Sequence, residues 1–309
     1  MNSHNVSKNS ILNLMKVILF GVILSIYEHM SYAEQSVWEK LSPVREQYQN
    51  IKTLHVKSRM FNEYSIAVPS NRFALIDYEQ WADKKGRYKI VCSFTDFNGL
   101  TPVDLEFSYD GNSFYSLDKK NKIVSYGTED PNGFPIPENP LFTPVLFLKQ
   151  NSDECKSCIL KLRDVIDSVK WRNILAKSEY MNDSNDSQKT INIPTNQTVN
   201  GIRAELHIHT DSNDFIERID TVEATGKTIG LMKILEYQEL ILNGIKTHWP
   251  KIVQISGSNP LQKVTVTLTA EISLLEINNF IPDSVFSVDM SSAKSVWDND
   301  TRTFLKQEK

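Results

Sequence analysis

Cysteine is scarce in this chain, with three in 309 residues: Cys92, Cys155 and Cys158. That excludes a framework of several disulfides. It also excludes a four-cysteine zinc site, because no second cysteine pair accompanies Cys155-Lys156-Ser157-Cys158. This tetrapeptide has redox spacing but lacks the strand-to-helix setting of a thioredoxin unit. It reads as a local disulfide between Cys155 and Cys158, or as two idle thiols near a helix start. A dominant charge of one sign is lacking too. The net charge is −4 with both signs well mixed, which leaves no concentrated basic face for nucleic acid.

Catalytic signatures are equally thin. No Gly-x-Ser-x-Gly elbow is present. Gly226-Lys227-Thr228 has the look of a phosphate-loop end, but Thr221 stands where that motif needs its first glycine, so Gly226 reads as a turn. Asp183, Asp186, Asp298 and Asp300 lie in polar segments without the twelve-residue ligand pattern of a calcium loop. His207 and His209 share a face of a strand, a spacing that can hold a metal, yet no third ligand lies nearby in sequence. They read as a polar surface pair. No metal and no cofactor is called for, and the chain is expected not to be an enzyme.

What is present begins with one apolar run, Val17 to Tyr27, preceded by Lys8 and Lys16. Ser31-Tyr32-Ala33 then puts small residues at the two positions that a signal peptidase reads. The run is shorter than the ~20 residues that span a bilayer. Residues 1–33 are therefore expected to be a signal peptide, cleaved to leave Glu34. No cysteine follows the run, so a lipid-modified N-terminus is not expected. The mature chain, 34–309, is expected to be a single β domain that is periplasmic or otherwise exported.

The mature chain opens on a helix. Ser36 is a candidate N-cap, and Trp38, Leu41, Val44, Tyr48 and Ile51 recur at helical spacing. The period then changes to two. Leu54, Val56 and Met60 alternate with His55, Lys57 and Arg59. Phe94 belongs to a strand over Arg87–Phe97, and Leu105, Phe107 and Tyr109 alternate with acids and Ser108. Asp110-Gly111 is a strong hairpin signal, and Asn243-Gly244 is another. Pro131, Pro135, Pro137, Pro140 and Pro144 break the pattern, and a helical insert is expected over residues 141–175. A second run of strands includes Gly230–Leu240, Ile245–Trp249, Lys251–Ile255 and Lys263–Ser273. In the last of these Val264, Val266, Leu268, Ala270 and Ile272 face one way. The tail from Glu276 to Asp300 reads as a short helical or extended closing segment. The fold class is mainly β: a meander too long to stay flat, expected to form a curved, half-open antiparallel barrel with an N-terminal helix and a helical lid.

Several phrases carry a family resemblance. The helix ending Tyr48-Gln49-Asn50-Ile51-Lys52-Thr53-Leu54 runs directly into a strand. Tyr109-Asp110-Gly111-Asn112-Ser113-Phe114-Tyr115 looks like a central hairpin. Ile277-Asn278-Asn279-Phe280-Ile281-Pro282-Asp283-Ser284-Val285-Phe286 looks like a closing phrase. With an exported start, this order resembles the LolA/LolB-like carriers and receptors of the Gram-negative envelope. The resemblance covers most of the mature chain. It implies a half-open barrel whose helices cover an apolar cavity for acyl chains, and a basic residue near the cavity mouth. Arg59 lies in the corresponding region, though no motif fixes it. The chain is longer than a typical carrier, and the absence of a lipobox departs from a LolB-type lipoprotein.

The candidate cavity residues are Leu54, Val56, Arg59, Met60, Phe94, Phe107, Tyr109, Leu231 and Leu235, each of which ordinary core packing would also explain. The expected function is an exported carrier or receptor that buries acyl chains at ~0.8 kcal/mol per CH₂. The expected partners are a lipid or acylated lipoprotein and an envelope membrane protein, with no nucleic acid. The alternative is an envelope sensor or regulatory protein that holds a protein partner on the same concave face.

Overall fold

The computed structural model describes residues 42–65, 73–96, 103–128, 139–142, 179–181, 189–199, 202–211, 213, 215–259 and 264–307. The expected signal peptide, nearly all of the expected helical insert, and Cys155 and Cys158 lie outside them. The described helix is α1 (Ser42–Gln49). It is followed by β1 (Thr53–Tyr64), β2 (Phe73–Asp83), β3 (Tyr88–Asp96), β4 (Val103–Tyr109), β5 (Phe114–Asp118) and β6 (Ile123–Gly127). After a 3₁₀ turn at Pro140–Phe142 come β7 (Glu179–Met181), β8 (Lys189–Val199), β9 (Ile202–Thr210), β10 (Ile216–Glu223), β11 (Thr228–Leu242), β12 (Ile245–Asn259) and β13 (Val264–Ile277). A second 3₁₀ turn, Asp283–Phe286, precedes β14 (Ser295–Asp298) and β15 (Thr303–Gln307).

All fifteen described strands join one sheet, in the order β15-β14-β6-β5-β4-β3-β2-β1-β13-β12-β11-β10-β9-β8-β7. The chain meanders outward from β1 to β6. It then resumes at the far edge and meanders back from β7 to β13, so the two halves meet at an antiparallel β1–β13 seam. The edge strands β15 and β7 do not pair with each other, so the sheet is open rather than closed. The closing segment, expected to be helical or extended, holds the 3₁₀ turn and the extended β14, and β15 follows it. β14 pairs parallel with β6, the one parallel pairing among the described strands.

Alternation decides which face is buried. On β1 the residues Leu54, Val56, Ser58 and Met60 are buried, while Lys57, Arg59 and Phe61 are exposed. Register carries the same face across neighbouring strands. Leu54 lies opposite Ala82, Val56 opposite Gln80, Ser58 opposite Tyr78 and Met60 opposite Ile76. These continue to Tyr88, Ile90, Cys92 and Phe94 on β3, and then to Tyr109, Phe107, Leu105 and Val103 on β4. On the seam side, Ile277, Leu275, Ile272 and Ala270 complete the rows. A bulge between Lys57 and Ser58 keeps the apolar residues of β13 on this inner side.

The opposite face is held by charges and by the closing segment. Arg87 sits 4.5 Å above the Phe286 ring and bridges Asp83 (2.8 Å) and Asp283 (2.7 Å). Ser108 Oγ donates to Phe286 O at 2.5 Å. A small second core of Val124, Ala293 and Val296 pins β14 beside β6. Asp298, read from sequence as a solvated loop acid, is buried. It accepts from Tyr126 Oη (3.0 Å) and from the Asp300 (2.9 Å) and Thr301 (3.2 Å) backbone N–H groups.

The β11–β12 hairpin departs from the sheet. β11 pairs with β10 only as far as Lys233, and β12 pairs with β13 only from Ile252 onward. Bulges flank Glu236, and Pro250 has no N–H to give a ladder. Residues 237–250 therefore form an arm whose two strands pair with each other. Its turn, Asn243-Gly244, has φ of 52° and 80°, the left-handed geometry that this dipeptide accommodates in hairpins.

Candidate functional site

The inner face forms one apolar cluster. Leu54, Val56, Met60, Phe94 and Phe107 are buried within it, and Tyr109 packs against it while its hydroxyl donates to Gly111 O (2.8 Å). Three of the nine candidate residues do not join this face. Arg59 lies on the opposite side, exposed, with Nε 2.7 Å from Asp77 Oδ1. Leu231 lies opposite Ser256 and out of phase with the buried Met232, and Leu235, at a bulge, is 53% exposed. The reason is local. In Gly230–Leu240 the inward residues are Met232, Ile234 and Leu240, and the bulges after Ile234 reset the alternation that a simple two-residue period assumes.

Of the described residues outside the sheet, Tyr48, Ile51 and Leu141 join the cluster. The Tyr48 ring meets Trp249 of the arm edge-on, 5.3 Å between centroids. Its hydroxyl donates to Leu141 O (2.7 Å). Gln47 Nε2 donates to His248 O (2.5 Å). From Leu141 a buried polar chain runs back to the sheet. Leu141 N–H donates to Asn139 Oδ1 (3.0 Å), and Asn139 Nδ2 to Gln80 Oε1 (2.6 Å). That oxygen also accepts from Tyr78 Oη (2.8 Å). Helix α1, the arm, the 139–142 segment and β2 are thus clasped together over one end of the apolar face.

Titration behaviour reports how dry this region is. Burial raises the Tyr48 and Tyr78 hydroxyls above the ordinary phenol value, and it pushes the Cys92 thiol up to about 12. All three are neutral at pH 7. Among the described residues the face offers apolar surface, neutral hydroxyls and amides, and no charge.

The sequence reading missed Ser58, Tyr78, Gln80 and Asn139. Ser58 and Gln80 are polar residues in apolar phase, and Gln80 blurred the alternation of β2, which went unrecognised. The signal was Ile76, Tyr78 and Ala82 at even spacing. Asn139 sits among prolines, and no local pattern marks it.

The histidine pair lies on the other face, as Leu206 and Ile208 are fully buried. His209 Nδ1 lies 3.1 Å from Thr190 Oγ1, and Nε2 lies 3.2 Å from Asp220 Oδ2. Burial lowers the His209 pKa, more than Asp220 raises it. Hydroxyl, imidazole and carboxylate follow one another here as in a nucleophilic triad. However, Thr190 is buried and Arg218 holds both Asp220 oxygens (2.7 and 2.5 Å), so the group is a packed polar cluster rather than an open active site. His55 lies between Glu276 and Glu79, each 2.7 Å from one ring nitrogen, and stacks on Trp81. Among the described residues, no group of three or more His, Cys, Asp or Glu is placed to hold a metal ion.

No protein-family model matches the chain, and no curated protein matches it. Solved structures similar to it include a DUF1329 family protein from Desulfovibrio piger (10% identity, TM-score 0.44, covering 82% of this chain and 97% of that one). A LolA superfamily protein from Nitrosomonas europaea is similar at 12% identity and TM-score 0.39, over 83% of this chain and 98% of that one. An outer membrane lipoprotein-sorting protein domain, described as putative, from Vibrio parahaemolyticus is similar at 10% identity and TM-score 0.42, over 84% and 97%. The functional reading rests on this chain's own side chains.

Proposed function

We propose that the mature chain is an exported carrier or receptor for the acyl chains of lipids or lipoproteins, held on the inner face of the open sheet as in a half-open barrel. The observation that supports this is the continuous apolar face across β13 and β1–β4, on a sheet whose edges do not close on each other. Such a face gives an acyl chain ~0.8 kcal/mol for each CH₂ removed from water. Among the described residues it is neutral, which suits a hydrocarbon ligand and disfavours a charged one. The face is buried in this structure, so an acyl chain gains access by displacing what lies on it. The clasp of Tyr48, Leu141, Asn139 and Gln80 is where that opening would begin. The arrangement of the inner face supports binding rather than catalysis.

The test is titration of the mature protein with a fluorescent fatty-acyl probe, with Val56→Glu as the comparison. Saturable binding near one chain per protein, lost when a carboxylate enters the face of a still-folded variant, is the expected result. No saturable binding to the unmodified protein would remove the carrier reading.

A further inference from the structure

One hydroxyl on the inner face finds no partner among the described residues. Ser58 is 4% exposed, and its Oγ has no hydrogen-bond partner among the described residues. It stands mid-row on β1 between Val56 and Met60, both buried, with Ile272 opposite on one side and Tyr78 on the other. The Tyr78 hydroxyl donates to Gln80 and is not spent on Ser58. A buried hydroxyl without a partner costs stability that alanine at the same place would not. The seam bulge lies opposite this residue: its extra residue is Ser273 on β13, which falls between the partners of Lys57 and Ser58.

We propose that Ser58 Oγ–H is the donor for the carbonyl oxygen of a bound acyl chain, so that the ligand class is acyl esters or amides rather than plain hydrocarbon. This rests on the carrier reading and sharpens it. The apolar rows on either side of Ser58 take the CH₂ groups, and this hydroxyl, without a partner among the described residues, fixes where along the row the carbonyl comes to rest. An ester and an amide present the same acceptor to a hydroxyl.

The experiment compares the mature protein with Ser58→Ala, using three fluorescent polyene chains of equal length: a methyl ester, an N-methyl amide and the hydrocarbon. Loss of one neutral hydrogen bond should weaken the carbonyl-bearing chains roughly five- to ten-fold and leave the hydrocarbon unchanged. Thermal unfolding without ligand should show S58A melting no lower than the parent. A loss confined to the ester upholds the proposal with ester lipids as the source. A loss confined to the amide upholds it with N-acylated chains as the source. Equal weakening of all three chains, or of none, overturns it while leaving the carrier reading standing. A lower melting temperature for S58A also overturns it, since the hydroxyl would then already have a partner. If the parent binds none of the three chains, the carrier reading falls and this proposal falls with it.

Discussion

Single residues on the inner face are held neutral by burial, and that sets their response to pH. The Cys92 thiol is raised from its ordinary value of 9.0 to about 12. A folded pKa above the unfolded one stabilises the fold below the unfolded value, and that stability is lost as pH rises. Cys92 should therefore weaken the fold progressively from about pH 9 to about pH 12, and Cys92→Ala should flatten that limb of a urea-midpoint-against-pH curve. The same burial should keep Cys92 inert to a thiol reagent at pH 8 until the protein unfolds. His209 has the opposite sign. Its folded pKa lies below its ordinary value of 6.5, so the unfolded chain binds the proton first and stability falls as pH drops below about 6.5. His209→Gln should remove that acid-side loss. Tyr48→Phe deletes the hydroxyl that satisfies the buried Leu141 carbonyl, and about 1–2 kcal/mol of stability should go with it in urea denaturation.

Elements differ in how plainly the sequence announces them. The strand-to-hairpin phrase around Asp110-Gly111 was legible because turn chemistry and alternation agree there, and Gly111 does adopt a positive φ of 110°. β13 was legible up to Ile272, where the seam bulge shifts the phase so that Leu275 and Ile277 turn inward. β2 was not legible, because Gln80 occupies an inward position for the sake of Asn139, a partner far along the chain. β11 was placed correctly but read out of phase, because bulges at Glu236 are set by the departure of the arm and not by any local signal. β12 was read as two strands because Pro250 looks like a break. The ladder tolerates it because residues 237–250 leave the sheet as an arm. The arm is anchored by Trp249, fully buried against Tyr48. Trp249→Ala should cost about 3–5 kcal/mol, read as a lowered urea midpoint. Ile241→Ser at the exposed tip should stay within about 0.5 kcal/mol.

The whole molecule is two meanders that meet where residues of β1 and β13 pair across more than two hundred positions of sequence, and just beyond the strand ends Lys52 N–H donates to Asn278 Oδ1 (2.6 Å, 226 apart). This seam could not be read locally. The sequence suggested a meander and a half-open barrel, but the return from the far edge and the parallel addition of β14 beside β6 depend on contacts between distant segments. The candidate site was legible where alternation is clean, at Leu54, Val56, Met60, Phe94 and Phe107. It was not legible at the polar positions, because a buried polar residue declares itself only through its partner or its lack of one. Pairings this distant should make refolding slow for the chain's size, in milliseconds to seconds or longer by stopped-flow. The most direct test of the acyl-chain reading is native mass spectrometry of the mature protein purified from a cell-envelope extract, followed by organic extraction and lipid analysis. The account predicts co-purified acyl lipid or acylated peptide in near-stoichiometric amount, released when the protein is denatured. A protein that flies at its bare mass and yields no acyl chains on extraction would contradict it, and the inner face would then be packed core.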